Sequence, residues 1–283
     1  MEPVLRAVNL RFAYPTGVVA LDGVDLGLRA GETVAVVGQN GSGKTTLFKV
    51  IAGLLGPYSG HIEIGGRDTS TMTVSQISRV AALVLQNPDV QLFSQTVREE
   101  IGFGPRNSGL DRRRVAERTA EAIGLVGLRG RENEFPMSLS RGDRMRVVIA
   151  AALAMKPSIL MLDEPTTGLD YRGLRDLASI MRHYASAGGA VLIATHNTET
   201  VAENAQRIVV LDSGAVKVNG PTRWLMSRPG LLKQIGMIPP QVVRLDREVL
   251  DGQDTALTVE ELASKVEEEY VRSELRRIRK GVS

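Results

Sequence analysis

A glycine-rich run near the N-terminus has the residues and the spacing of a phosphate-binding loop. It reads Gly38-Gln39-Asn40-Gly41-Ser42-Gly43-Lys44-Thr45 and fits the pattern G-x-x-x-x-G-K-[ST]. Glycines allow backbone N–H groups to surround phosphate oxygens, and a following helix would point its positive end at them. Lys44 would reach the β- and γ-phosphates, and the hydroxyl of Thr45 would ligate Mg²⁺. The run, with Thr46 after it, predicts a nucleoside triphosphate site.

The segments on either side of this run support the prediction. Thr33–Val37 is continuously apolar and β-branched, which is typical of a strand buried on both faces. Lys44–Ala52 then predicts a helix with Leu47, Val50 and Ile51 on one side. A chance match to the pattern in an ordinary glycine-rich turn is much less frequent in this strand–loop–helix setting.

Two adjacent carboxylates supply a second element of the same chemistry. Asp163 and Glu164 follow the apolar strand predicted at Ile159–Leu162, and ligands of open α/β sheets bind at the carboxyl ends of strands. Asp163 would hold Mg²⁺ through its waters, and Glu164 would orient and deprotonate the water that attacks the γ-phosphate. An Asp-Glu pair alone is more often part of a solvated loop, but the phosphate loop favours the functional interpretation.

The elements that must position these residues form an α/β pattern. A helical stretch from about Tyr171 to Ala187 separates the apolar strands Ile159–Leu162 and Ala190–Ala194, which predicts a parallel sheet covered by helices. The stretch from about Thr96 to Ala154 is mostly helical in pattern. Thr258 and Glu261 form a capping box that opens a final charged helix.

Composition limits the class of protein. The 283 residues are 43% hydrophobic and 24% charged, with no cysteine, so no disulfide framework or thiolate metal site is expected. The longest apolar run, Val147–Met155, is too short to span a bilayer, and no secretory signal is visible. The net charge of +3, without a basic stripe bearing aromatics, predicts no nucleic-acid partner. These features predict a soluble intracellular protein.

Five further motifs resemble those of the ATP-binding cassette (ABC) proteins. Leu139–Asp143 is similar to the family's signature motif, whose usual form is L-S-G-G-Q. The other four are similar to the Q-loop, the D-loop, the switch histidine and the aromatic residue that stacks on adenine: Gln86, Gly168-Leu169-Asp170, Thr195-His196 and Tyr14. The matches occur in the family's order over residues 3 to about 225, and they identify the chain as a member of this family.

The resemblance implies a fold and a division of the chain. The fold is a P-loop NTPase of class α/β, with a RecA-like parallel sheet, an N-terminal antiparallel β subdomain, a helical signature subdomain and a small C-terminal α/β extension. The expected boundaries are 1–228 for the nucleotide-binding domain, with the helical subdomain at about 94–155, and 229–283 for the extension, which would contact a second copy in a dimer.

The resemblance also implies ATP hydrolysis at a site shared by two head-to-tail subunits. Glu164, His196 and Gln86 would be catalytic, and Thr45, Gln86 and Asp163 would hold Mg²⁺. Ser140, Arg141, Gly142 and Asp143 would act on the partner's ATP, and Asp170 would lie in the D-loop. Ser140 and the Gly142 N–H, at a helix start, suit a phosphate.

A closer resemblance is to the energy-coupling factor (ECF) ATPases and the cobalt and nickel importers. It is carried by the segments Leu85–Phe93, Thr96–Asn107, Pro239–Gln241 and Leu257–Leu262. It implies uptake of a vitamin or a Co or Ni ion. The implied partners are a second ATPase, a transmembrane coupling subunit and a substrate-capture membrane subunit, with this chain peripheral on the cytoplasmic face. Asn87–Asn107 would form the groove for the membrane subunit, with Asp89 and Gln91 as exposed coupling positions.

The signature departs from the usual form at two positions. Arg141 replaces a glycine and Asp143 replaces a glutamine, so we expect a cation and an anion on one turn that partly offset each other near the partner's phosphates. This leaves open a regulatory nucleotide-binding subunit with a degenerate site in a heterodimeric importer. It also suggests that the partner is a different ATPase with an unaltered signature. DNA-repair and translation ATPases fit poorly, because the chain has one cassette and no long insertion.

Overall fold

The computed structural model describes residues 3–250 and 255–281. Its strands are β1 Leu5–Ala13, β2 Val19–Leu28, β3 Thr33–Val37, β4 Ser59–Ile64, β5 Arg67–Asp68, β6 Ala81–Val84, β7 Ile159–Asp163, β8 Ala190–Ala194, β9 Arg207–Asp212 and β10 Ala215–Pro221. Its helices are α1 Lys44–Ile51, α2 Val74–Ser78, α3 Val97–Asn107, α4 Arg112–Leu125, α5 Arg141–Ala154, α6 Tyr171–Ser186, α7 Thr198–Asn204, α8 Thr222–Met226, α9 Pro229–Gln234, α10 Gln241–Leu250 and α11 Val259–Gly281.

A six-stranded sheet forms the centre of the protein. Its order is β10-β9-β3-β8-β7-β6, and all neighbouring pairs are parallel except β10 with β9. β3, β7 and β8 are buried along their whole length, as the continuous apolar runs predicted. Their boundaries agree with the predictions to within one residue.

Successive side chains of these strands enter two different cores because residues of a strand alternate between faces. Ala35 and Val37 pack in a core with the buried residues of α5 and α6. Val34 and Val36 pack in a second core with Leu47 of α1 and with the antiparallel sheet β2-β1-β4-β5. The parallel sheet and the antiparallel β subdomain predicted from the resemblance are therefore both present.

The middle of the chain is helical, as predicted. α3 and α4 pack on each other and on α5. Thr96 caps α3 by accepting a hydrogen bond from the N–H of Glu99 at 3.2 Å. No helix in residues 3–250 and 255–281 is both long and apolar enough to cross a membrane.

The C-terminal extension differs from the prediction. Its described residues, 229–250 and 255–281, form the helices α9, α10 and α11 and contain no strand, so the α/β description of the extension is wrong for this part of the chain. The reason lies in the pattern around Gln241–Leu250, where Val242, Leu245 and Val249 recur every three or four residues. That spacing is the period of a helix rather than the alternation of a strand.

Candidate nucleotide site

The predicted site residues follow four strands of the parallel sheet. Gly38 follows β3, Glu164 follows β7, Thr195 follows β8, and Gln86 comes two residues after β6. These strands are consecutive neighbours in the order β3-β8-β7-β6. Because they are parallel, their carboxyl ends meet at one edge of the sheet, where ligands of this fold class bind. The four named residues, up to 157 positions apart in sequence, are thus brought together.

The phosphate loop is shaped by two positions that only glycine can occupy. A Cβ on Gly38 would lie 2.1 Å from the carbonyl oxygen of Leu211. A Cβ on Gly43, whose φ is 106°, would lie 2.4 Å from the carbonyl oxygen of Ala20. The loop is therefore pressed against β9 on one side and β2 on the other. This packing fixes the direction in which α1 leaves the loop.

Lys44 is the first residue of α1 and is buried. Its Nζ donates hydrogen bonds to the carbonyl oxygens of Gly38 at 2.7 Å and Gln39 at 3.1 Å. The ammonium is thus held across the loop, within the ring of backbone groups that would surround a phosphate. A buried cation in this position creates a local positive field that favours an anionic ligand.

A cleft of about 570 Å³ brings most of the predicted nucleotide residues together. Its lining comprises Tyr14, Val18, Val19, Ala20, Asn40, Gly41, Ser42, Gly43, Lys44, Thr45, Thr46, Gln86, Glu164, Thr167 and His196. Gly38 and Gln39 instead line an adjoining cleft of about 740 Å³, which also contacts Ile235–Pro239 and Arg244. Valines 18 and 19, both exposed, were not predicted as site residues. They lie at the turn between β1 and β2, whose sequence contains no motif from which a place in the cleft could be predicted.

Glu164 and His196 are in direct contact. The Oε2 of Glu164 lies 2.9 Å from Nδ1 of His196 and accepts a long hydrogen bond of 3.4 Å from the backbone N–H of His196. Glu164 is buried, whereas the His196 side chain is 74% exposed. The φ of Glu164 is +49°, a region costly for a residue with a side chain. Backbone strain of this kind is typical of functional sites.

Asp163, at the end of β7, is almost fully buried and is not among the residues that line the cleft. Burial raises the pKa of its carboxyl; the nearby charge of Glu164 also raises it, whereas the Thr45 hydroxyl and the Lys44 charge lower it. Its Oδ1 is buried without a hydrogen-bond partner among the described residues. A buried oxygen that lacks a donor and lies beside a threonine hydroxyl suits a hard, oxygen-preferring cation such as Mg²⁺. The residues present therefore fit the predicted ion.

The buried carboxyl of Asp163 gives a testable prediction. Because the pKa of Asp163 is raised on folding, the protonated carboxyl contributes to the free energy of unfolding at pH values below the ordinary aspartate pKa. This contribution is lost as the pH rises through the raised pKa. We therefore expect Asp163→Asn to increase the free energy of unfolding of the nucleotide-free protein at pH 7 by about 1 kcal/mol. The difference should shrink toward pH 4. Denaturant unfolding across this pH range measures it.

Asp163→Asn should also lower the affinity for ATP in the presence of Mg²⁺ by about tenfold or more. The exposed Asp212→Asn is a matched control that should change neither property. A stability difference that stays constant with pH would show that the charge of Asp163 is not its cause.

Tyr14 combines two contacts. Its hydroxyl lies 2.9 Å from the Thr46 hydroxyl on α1, and its ring packs edge-on against Phe12 at a centroid distance of 5.0 Å. The side chain is partly buried, so it belongs both to the core and to the cleft wall. With Val18 and Val19 it provides the apolar surface at this end of the cleft.

The signature residues lie elsewhere. Among the described residues that line the cleft, none comes from Leu139–Asp143. Ser140 caps α5, and its hydroxyl donates to Asp143 Oδ2 at 2.8 Å while accepting from the Asp143 N–H at 3.2 Å. Gly142 lies in the first turn of α5. The turn therefore contributes no lining residue to the cleft, although Arg141 contacts the carbonyl oxygens of Gln86 and Thr167 behind its lining.

Arg141 and Asp143, two residues apart on one turn, contact different groups. Burial raises the pKa of Asp143, but hydrogen bonds from Ser140 and Arg131 and the charge of Arg146 outweigh it and lower the pKa overall. Arg131 and Arg146 approach the carboxylate to 2.7 and 2.9 Å. Arg141 instead donates to the carbonyl oxygens of Thr167 and Gln86. Each charge is engaged by a different segment, which sequence proximity could not reveal.

The segment after β6 also departs from expectation. Gln91, predicted as an exposed coupling position, accepts from the Leu85 N–H at 2.7 Å and donates to the Leu83 carbonyl at 3.2 Å, so it holds the end of β6. Asp89 forms an ion pair of 3.0 Å with Arg144 of α5. Glu100, which the sequence analysis did not single out, is buried and accepts from the N–H groups of Phe93 and Ser94.

Asp170 caps α6. Its Oδ1 accepts a hydrogen bond from the Gly173 N–H at 2.8 Å. The preceding turn begins at Glu164, whose carbonyl oxygen accepts from the Thr167 N–H at 3.3 Å. The predicted D-loop thus continues directly from the base of the cleft into α6.

The chain is similar in sequence to known proteins. A family model described as "ABC transporter" matches residues 21–167. An energy-coupling factor transporter ATP-binding protein, EcfA, from Methanothermobacter thermautotrophicus is 41% identical over 258 residues, covering 89% of this chain and 83% of that protein. A putative ABC transporter ATP-binding protein from Caldanaerobacter subterraneus is 38% identical over 93% of this chain. This chain spans about half of that relative's length, 46%.

A solved structure has the same fold. CbiO1 from Clostridium perfringens, described as part of the ABC transporter complex CbiONQ, aligns with a TM-score of 0.76 and 29% identity over 89% of this chain and 97% of that one. The fold and the loop define a P-loop NTPase. Within that class, the chain belongs to the ABC transporter family and is an ATP-binding ATPase of that family.

Proposed function

We propose that this chain is the ATP-hydrolysing subunit of an ECF-type importer, which couples ATP binding and hydrolysis to uptake of a vitamin or a Co or Ni ion. The observation that carries the proposal is the cleft in which Lys44, Glu164 and His196 converge. The relatives named EcfA and CbiO1 support the ECF type. The chain would lie peripherally on the cytoplasmic face of the membrane.

The proposed chemistry assigns a role to each group in the cleft. The loop N–H groups and Lys44 bind the β- and γ-phosphates, and Tyr14 with the neighbouring valines contacts adenine. Glu164 orients the attacking water and accepts its proton, and His196 holds the carboxylate in place through their 2.9 Å contact. Thr45, Asp163 and Gln86 would hold Mg²⁺, which when bound neutralises charge on the phosphates.

A second ATPase subunit would complete the site. Because Leu139–Asp143 lies outside the cleft of its own chain, we propose that it faces the ATP of a head-to-tail partner. We further propose that the partner is a different ATPase with an unaltered signature. We place the nucleotide-binding domain at residues 1–228, with its helical subdomain at about 94–155, and assign the extension from residue 229 to contacts within the dimer.

An exposed apolar surface supports docking of a transmembrane subunit. Phe93 is 62% exposed and Phe103 is 41% exposed, and their rings pack edge-on at 4.7 Å. They border a cavity of about 290 Å³ that Leu54 and Val74, both exposed, also line. We propose that a cytoplasmic helix of the transmembrane coupling subunit places an apolar side chain there, since aromatic residues around a pocket are typical of binding hot spots.

The test is to purify the complex from membranes and identify each subunit by mass. We expect a transmembrane subunit, a substrate-capture subunit and a second ATPase to co-purify. Phe93→Ser should lower recovery of the transmembrane subunit by about tenfold or more, while ATPase activity of the isolated chain stays within about twofold. Leu125→Ser, an exposed position on α4, is the control. Full recovery with Phe93→Ser would remove this surface from the proposal.

A regulatory subunit with a degenerate site is the second candidate. One observation favours it: the Ser140 hydroxyl donates its hydrogen to Asp143, so the signature binds phosphate poorly. In that case the complex would hydrolyse ATP at only one of its two sites. Turnover of the complex with Glu164→Gln separates the two candidates: it should fall sharply if this chain hydrolyses ATP, and it should be unchanged if the chain is regulatory.

A further inference from the structure

The first turn of α5 carries two arginines that contact the segment after β6. The Nη2 of Arg141 donates to the carbonyl oxygen of Gln86 at 3.4 Å, and the Nη1 of Arg144 lies 3.0 Å from Asp89 Oδ1. Residues three apart share one face of a helix, so both side chains reach the same segment. The signature turn is thereby attached to residues 86–89 of its own chain.

Arg141 also contacts the turn that follows Glu164. Its Nε donates to the carbonyl oxygen of Thr167 at 3.3 Å, and its side chain lies against Gly168, where a Cβ would approach Nε to 2.9 Å. The N–H of Thr167 in turn donates to the carbonyl oxygen of Glu164. Two consecutive hydrogen bonds therefore connect the Arg141 guanidinium with the backbone of Glu164.

We propose that Arg141 is a positioning residue that ties the backbone of Gln86 and the turn after Glu164 to the signature turn of the same chain. The planar guanidinium can donate to two carbonyl oxygens at once, which a lysine ammonium on a flexible stem does less well. The usual signature has glycine at this position and therefore no such link. The proposal rests on the proposed function in one respect, the roles given there to Glu164 and Gln86.

This tie differs from the role that the resemblance implied for Arg141. Two of its N–H groups are directed at carbonyl oxygens of its own chain, rather than being held toward a partner's phosphates. The altered signature would then act on the chain's own hydrolytic residues. Within residues 3–250 and 255–281, the other altered position, Asp143, bonds to Ser140, Arg131 and Arg146.

Amide hydrogen exchange of the full-length, nucleotide-free protein tests the tie. We expect Arg141→Ala to accelerate exchange about two- to tenfold at both 86–91 and 164–170, as loss of a net hydrogen bond implies. Arg144→Ala, which removes only the Asp89 contact, should accelerate exchange at 86–91 and leave 164–170 unchanged. Arg141→Lys should restore protection at one of the two segments at most.

Steady-state hydrolysis provides a second readout. Arg141→Ala should lower kcat by about three- to tenfold, while KM for ATP changes less than about twofold. This decrease in kcat is smaller than the decrease expected when a reacting group itself is displaced. Unchanged exchange at 164–170 in Arg141→Ala would overturn the proposal. Weaker ATP binding by the partner subunit would not rescue it, because the proposed contacts lie within this chain. Because exchange is measured without nucleotide, a chain that hydrolyses no ATP but shows altered exchange would contradict the proposed function alone.

Discussion

Glu164→Gln is expected to lower the rate of ATP hydrolysis by about a hundredfold or more while ATP still binds. The amide keeps the shape of the side chain and can retain a contact with His196, but it cannot accept the proton of the attacking water. If binding of ATP closes the subunit pair and hydrolysis reopens it, the variant should also accumulate as a closed dimer with ATP. Turnover assays and size-exclusion chromatography with and without ATP measure the two effects.

Two controls make this result specific. Glu117→Gln changes an exposed carboxylate on α4 that lines neither of the two adjoining clefts, and should retain wild-type turnover. Lys44→Ala should instead weaken nucleotide binding itself, because it removes the cation held across the phosphate loop. Wild-type turnover in Glu164→Gln would exclude this carboxylate as the base.

Asp143→Gln is expected to raise turnover at the site that this signature completes by about tenfold, which corresponds to about 1.4 kcal/mol. A serine hydroxyl has one hydrogen, and in this structure Ser140 donates it to the Asp143 carboxylate at 2.8 Å. Glutamine would remove the negative charge and leave that hydrogen available to a phosphate of the partner's ATP. One hydrogen bond to a charged group is worth about 1.5–3 kcal/mol, which is of the expected size.

The rate should be measured as a single turnover of the complex carrying Glu164→Gln, which silences this chain's own site, so that only ATP in the partner's site is hydrolysed and the dimer need not reopen. Glu134→Gln is the control, because Glu134 pairs with Arg131 at 2.9 Å without contacting Ser140. Unchanged or lower turnover in Asp143→Gln would mean that the ion pairs with Arg131 and Arg146, rather than an available Ser140, support this signature.

The sequence alone determined the local parts of the site. Three features could be predicted because they depend on residues close in sequence: the loop from Gly38 to Thr45, its flanking strand and helix, and the carboxylates after Ile159–Leu162. Phosphate binding requires glycine where the backbone approaches closely. Buried parallel strands require continuous apolar runs. The roles of these residues in catalysis stay predictions. Parallel and antiparallel sheets and the family were predicted and are confirmed.

The tertiary structure decided which side chains meet. Glu164 contacts His196 because β8 lies beside β7, a sheet order that the periodicity of neither strand encodes. Tyr14 reaches Thr46, and Arg141 turns toward Gln86 and Thr167, because distant segments pack there. Side-chain partners across a fold depend on long-range packing, whereas strands, helices and loops depend on residues close in sequence.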